Sequence, residues 1–185
     1  MMTLPLPIDR PVTLDNLHDE PAADAGLGRR WVISSFEDAR DAAARIAAVA
    51  QRGLAMLTPD LEPGIYDSEP FLEIAKRLVL SKRYARIRVL ISDPGRTVKN
   101  GNKLVSLGRR LNTYIEFRNL NQTYSEHREA FLLADDRALL YRADGSRWEG
   151  IADRDEPQVA RRYLDLFDEI WSASETAKEI RQLRV

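Results

Sequence analysis

Cysteine is absent from the 185 residues. That removes disulfides, thiolate nucleophiles and cysteine-based metal sites together. Histidine is scarce, with only His18 and His127. No run of about 20 apolar residues occurs, so no membrane span is expected. The longest small-apolar tract, residues 42–50, is interrupted by Arg45. The N-terminus, Met1-Met2-Thr3-Leu4-Pro5-Leu6-Pro7, lacks the basic stretch and unbroken apolar run of a secretory signal. With cysteine missing as well, a cytoplasmic location fits. Two phosphate-binding signatures are missing too: neither GxxxxGK[ST] nor GxGxxG is present.

What is present is a globular composition, 44% hydrophobic and 31% charged. The formal charge of -1 conceals a strong asymmetry. Residues 76–110 hold Lys76, Arg77, Lys82, Arg83, Arg86, Arg88, Arg96, Lys99, Lys103, Arg109 and Arg110, with Asp93 as the single acid. Both flanks, residues 1–75 and 126–185, are net acidic. If the basic side chains converge, they focus potential on an anionic partner; if they scatter, they solvate two helices and pair with the acidic flanks.

Four prolines (Pro5, Pro7, Pro11, Pro21) deny residues 1–30 a steady helix, and this stretch reads as an extended or poorly ordered arm. A single α/β domain follows over 31–172, then a charged tail or short helix over 173–185. Residues 31–33 suit a short strand. Ser34 or Ser35 opens an alanine-rich helix, with Glu37 at capping-box spacing from Ser34 and Gly53 as its stop. Residues 54–57 read as a buried strand. Ser68 starts a helix whose Phe71, Ile74, Ala75, Leu78 and Val79 form a core-facing stripe.

Residues 86–91 alternate as a strand, with Arg86 and Arg88 on one face and Ile87, Val89 and Ile91 on the other. One helix is expected over 98–111, which would align Lys99 with Lys103. A strand at 114–118, a hairpin at 130–141, an extended or loop stretch at 147–153 and a long helix from Pro157 complete the order. Alternation of this kind specifies a three-layer α/β/α sandwich with a mixed sheet.

Chemistry-bearing residues are few. His127 immediately precedes a hydrophobic strand, where side chains reach a sheet-end pocket. Asp135, Asp136, Asp144 and Asp153 are acids to weigh for a divalent metal, but Asp135 and Asp136 read as a turn, and no metal or other cofactor is assigned. Tyr141, Arg142, Arg147, Trp148 and Glu149 make a polar-aromatic patch that either binds a ligand or closes the core.

The run His127-Arg128-Glu129-Ala130-Phe131-Leu132-Leu133-Ala134-Asp135 resembles a degenerate phospholipase D-like signature. His127 falls on the histidine position, Asp135 lies near the aspartate at the strand end, and Gly145-Ser146 corresponds loosely to the later small-residue element. Glu129 stands where the family carries lysine. The resemblance implies a phospholipase D-like α/β scaffold and, for active members, phosphodiester cleavage through a histidine nucleophile, with domains paired in one chain or in a homodimer. Glutamate in place of lysine opposes that chemistry, because it repels the phosphoryl oxygens that lysine would stabilise.

A second resemblance covers about three quarters of the chain. Residues 84–90, 129–135 and 167–171 are similar to an uncharacterised bacterial domain found alone or attached to acetyltransferase-like domains. It carries no established reaction.

The resulting expectation is a non-catalytic binding or regulatory module for an anionic ligand or nucleic acid, contacted through Arg86, Arg88, Lys99, Lys103, Arg128 and Arg142. The alternative is a phosphodiesterase or nuclease acting through His127 in a homodimer. A third class is a purely structural homodimer or adaptor for a protein partner.

Overall fold

In the computed structural model, residues 28–182 are described. All but the last three residues of the expected N-terminal arm, His18 included, lie outside them. One eight-stranded mixed sheet forms the centre. Its strands are β1 (Arg30–Ile33), β2 (Gly53–Thr58), β3 (Arg86–Ile91), β4 (Ile115–Asn119), β5 (Ala130–Ala134), β6 (Ala138–Arg142), β7 (Gly150–Asp153) and β8 (Glu175–Thr176). Their spatial order is β1-β7-β6-β5-β2-β3-β4-β8.

β2, β3 and β4 are parallel, and every other pairing is antiparallel. The parallel steps need helical crossovers. These are α2 (Glu69–Ser81) between β2 and β3, and α3 (Pro94–Asn100) with α4 (Lys103–Arg110) between β3 and β4. α1 (Phe36–Ala47) follows β1, α5 (Pro157–Ala173) follows β7, and α6 (Lys178–Gln182) comes last. Among the described residues, no helix is long and apolar enough to cross a membrane.

The strand alternation decides which layer each side chain enters. Ile87, Val89 and Ile91 join Leu54, Met56, Ile115 and Phe117 in the core beneath α1, α2 and α4. Leu90 faces the other way and meets Ala55, Leu57, Phe131 and Leu133 beneath α5. α5 covers this second face through Phe167, Ile170 and Trp171. Phe167 is fully buried, 5.6 Å from the Trp171 ring and 6.4 Å from Phe131.

Three details depart from the sequence reading. The α1 cap is Ser35, and its capping box closes with Asp38 rather than Glu37. Partial burial works against the Asp38 charge, but hydrogen bonds from Ser34 and Ser35 outweigh it and hold the carboxyl below its usual range. The single helix expected over 98–111 is two helices. Gly101 takes φ +68° and Asn102 caps α4 through its side chain, so the turn is built where a left-handed residue is cheapest. The stretch from 173 onward carries β8 and α6, and its Ala177 and Ile180 are buried in the main core.

Because α5 provides the second layer, Phe167→Ala is expected to cost about 3–5 kcal/mol, as for other aromatic truncations in cores. Urea unfolding followed by circular dichroism measures it. A loss under 1 kcal/mol would mean that α5 does not seal this face.

Candidate functional site

Functional groups collect at two opposite ends of the sheet. The first is the end where β2, β3 and β4 finish, the usual ligand end of an open parallel sheet. β5 runs antiparallel to β2, so the residues that lead into it lie here.

His127 is half-buried, and its Nδ1 lies 3.0 Å from Glu129 Oε2. An ionised carboxylate only accepts, so Nδ1 is the donor of this contact, and in a neutral ring the lone pair is on Nε2. The ring also sits 6.1 Å from Tyr124, whose hydroxyl donates to Glu169 Oε1 at 2.9 Å. That hydrogen bond raises the Tyr124 phenol above its ordinary value. Burial pushes the Tyr141 hydroxyl up; its hydrogen bond with Tyr163 and the nearby Glu129 charge add to the rise. The groups that hold the imidazole are thus a carboxylate and a phenol ring.

Arg128 is exposed, and its carbonyl accepts from the Gly145 N–H at 2.7 Å. Hydrogen bonds from Ser146 hold Asp144 low, and the charges of Arg147 and Arg128 add to this.

Arg142 corrects the sequence reading, which placed it on a ligand-binding surface. It is 3% exposed and pairs with Glu62, itself 5% exposed. It also donates to the Arg147 carbonyl at 2.7 Å and lies 5.2 Å from the Trp148 ring. Trp148 in turn packs edge-on against Phe36 at 5.3 Å, so this part of the polar-aromatic patch closes the core. Glu62 is brought beneath the sheet by two consecutive positive φ angles, at Leu61 and Glu62. Burial pushes the Glu62 carboxyl up, while the Arg142 charge pulls it back.

The second end is where β2, β3 and β4 begin. The Arg86 N–H donates to the Arg52 carbonyl and the Ile87 N–H to the Tyr114 carbonyl, which places Arg52, Arg86 and Tyr114 together. Arg86 Cζ lies 5.4 Å from the Tyr114 ring centre, and its guanidinium donates to the carbonyls of Arg83 and Ala85. Arg86 and Arg88 share the α5 face. Arg88 lies over Phe167 at 4.9 Å and pairs with Asp168 at 2.7 Å. An open cavity of about 280 Å³ lies here, with Arg52, Arg86, Arg88, Asp136 and Leu164 in its wall. Arg52 pairs with Asp136 at 2.6 Å.

Asp135 organises this end. Its carboxylate accepts from the backbone N–H groups of Gln51, Arg52 and Gly53 at 2.7–2.9 Å. Its carboxyl is therefore a backbone clasp, not part of an acidic cluster. Among the described residues no group of three or more acidic or histidine side chains is arranged to hold a metal ion.

The sheet separates what the sequence placed in one list. Gly53 lies beside the Asp135 end of β5 and His127 beyond its other end, so the length of β5, about 17 Å at the strand rise per residue, separates them. Lys99 and Lys103, expected one turn apart, sit on different helices because of the break at Gly101. Arg52, which lies outside the basic block, was not anticipated; only the topology brings it beside Arg86.

A family model described as a domain of unknown function, DUF7931, matches residues 35–183. The chain belongs to this family. No curated protein matches it. Among solved structures, the archaeal chromatin protein TrmBL2, whose structure is described as showing a novel mode of DNA binding, is similar at 13% identity and TM-score 0.61. That match covers 89% of this chain but 59% of TrmBL2. Nuc from Salmonella typhimurium, a phospholipase D family member, is similar at 13% identity and TM-score 0.53, over 80% of this chain and 97% of Nuc. Phosphatidylserine synthase of Haemophilus influenzae Rd KW20 is similar at 12% identity and TM-score 0.53, over 84% of this chain and 40% of that one. The fold of this DUF7931 domain is thus an α/β sandwich with a mixed sheet, resembling the phospholipase D fold.

The buried ion pair gives a sharp expectation. Arg142→Met leaves the Glu62 carboxylate buried and uncompensated, and stability falls by about 3–5 kcal/mol. Adding Glu62→Gln should recover much of that loss in the same denaturant titration. A double variant no more stable than Arg142→Met would show that the pair is not the source of the cost.

Proposed function

We propose that this DUF7931 domain is a non-catalytic binding module for phosphate-bearing anions, with the basic end of the sheet as its contact surface. The gathering of Lys82, Arg83, Arg86 and Arg52 at the end away from the only described histidine carries this reading. At the other end the side chains held against His127 are Glu129 and Tyr124, with Arg128 exposed beside it. Phosphoryl transfer needs positive groups at the reacting phosphate, and the group in contact with the imidazole is a carboxylate. The likeness to TrmBL2, described as DNA-binding, points in the same direction. Arg128, Lys99 and Lys103 are exposed but lie away from this end, so they are not part of the contact surface in this reading.

One observation favours the alternative, a phosphodiesterase or nuclease acting through His127 in a homodimer. In a neutral ring the Glu129 contact selects the tautomer with Nε2 unprotonated, the form a nucleophile or base requires.

The two readings part in one pair of measurements. Fluorescence titration with inorganic polyphosphate between about 50 and 200 mM salt should give affinity falling steeply with salt, as for a phosphate-backbone contact. The double variant Arg52→Ala/Arg86→Ala should weaken binding by about tenfold or more, on the scale of two charge-assisted contacts, while His127→Ala leaves it unchanged. Salt-independent binding would remove the anion-binding reading. Hydrolysis of bis(p-nitrophenyl) phosphate that disappears in His127→Ala would give the function to the alternative.

A further inference from the structure

We infer that the basic end takes single-stranded nucleic acid and that Tyr84 is the platform on which one base stacks. This rests on the anion-binding reading above and names its ligand.

Tyr84 is 62% exposed, although a tyrosine ring is usually at least half covered by its own protein. It is held out by an anchored turn. The Ala85 N–H donates to the Lys82 carbonyl at 3.0 Å, and Ala85 itself is fully buried. The Arg86 guanidinium braces the same turn through the carbonyls of Arg83 and Ala85. The ring is therefore presented by a fixed backbone, which reduces the entropy lost on stacking.

The charge around the ring has one dominant sign. Lys82, Arg83 and Arg86 lie within two residues of Tyr84, a reach of about 7 Å at most. Arg86 bonds to carbonyls and a ring face, and among the described residues no carboxylate pairs with it. The acids at this end are engaged. Asp135 accepts from three backbone N–H groups, Asp136 pairs with Arg52 and Arg161, and Asp168 pairs with Arg88. The cavity adjoins this turn through Arg86; its wall holds Arg52, Arg86 and Arg88 together with Asp135 and Asp136, whose carboxylates are engaged by backbone N–H groups and by Arg52.

Cations beside an aromatic face are the two parts a protein uses to hold a single strand: the charge follows the backbone and the ring takes a base. A duplex keeps its base faces stacked internally and offers nothing to the ring. Leu80, 60% exposed near the end of α2, is a second exposed apolar side chain close in sequence. Two apolar side chains with Lys76, Arg77, Lys82 and Arg83 close in sequence are too few and too charged for a typical protein interface.

The test uses the full chain and three probes: a labelled oligothymidylate of about twenty nucleotides, its duplex with oligoadenylate, and inorganic polyphosphate. Anisotropy titrations should show tighter binding to the single strand than to the duplex. Tyr84→Ala should weaken single-strand binding by about five- to a hundredfold, the range for one base stacked on an aromatic ring. Tyr84→Phe should retain most of the affinity. The salt slope and the polyphosphate affinity should be unchanged in both variants, because no charge is lost. Equal affinity of Tyr84→Ala and the parent for the single strand, or equal or tighter duplex binding, would overturn the stacking inference. If polyphosphate binding still fell in Arg52→Ala/Arg86→Ala, the broader anion-binding reading would survive. Failure of all three probes to bind would defeat both.

Discussion

One carboxylate joins the two halves of the sheet. Asp135 ends β5, in the left-handed region at φ +54°, and gathers three successive backbone N–H groups at the entrance to β2. Aspartate is among the few non-glycine residues that tolerate this conformation. The clasp fixes how the antiparallel β5–β6 hairpin meets the parallel β2-β3-β4 unit, and so fixes the register in which Leu57 faces Phe131. Gly53 completes the junction, since a Cβ there would collide with the Arg86 carbonyl. Arg52 and Arg86 become neighbours because of this junction.

The same junction sorts charge. His127 is held by Glu129 and Tyr124 where the parallel strands end, and Arg52 and Arg86 come together where they begin. A net charge of -1 therefore carries no information about where the charges sit. Burial removes a further cation from the surface: Arg142 spends its guanidinium on Glu62, two carbonyls and an indole face.

Much of the architecture was legible in the sequence because period and parity are local. The face assignment of residues 86–91 follows from alternation alone, and the structure places Leu90 and Ile87 in separate cores accordingly. What failed depended on tertiary contact or on a single backbone angle. The break at Gly101 was hidden because a glycine within a helical pattern is tolerated as often as it terminates one. Ala177 and Ile180 sit in a charged stretch, and only the groove beside α4 shows that they are core. At the candidate site the pairing of His127 with Glu129 lies two residues apart and was within reach of strand parity. The neighbours of Arg86 were not, since Arg52 and Tyr114 are distant in sequence, and Glu62 reaches Arg142 only through an unusual turn.

α5 is 17 residues long, a rod of about 25 Å at the helical rise. Its first half reaches the cavity wall at Leu164, and its second half reaches the His127 corner at Glu169. Asp168, the partner of Arg88, and Glu169, the partner of Tyr124, are consecutive residues on that rod. The two ends are therefore tied to one helix, since the contacts of Arg88 and Tyr124 are made by adjacent residues of it. In mechanical terms α5 is a beam resting on two supports, Arg88 and Tyr124.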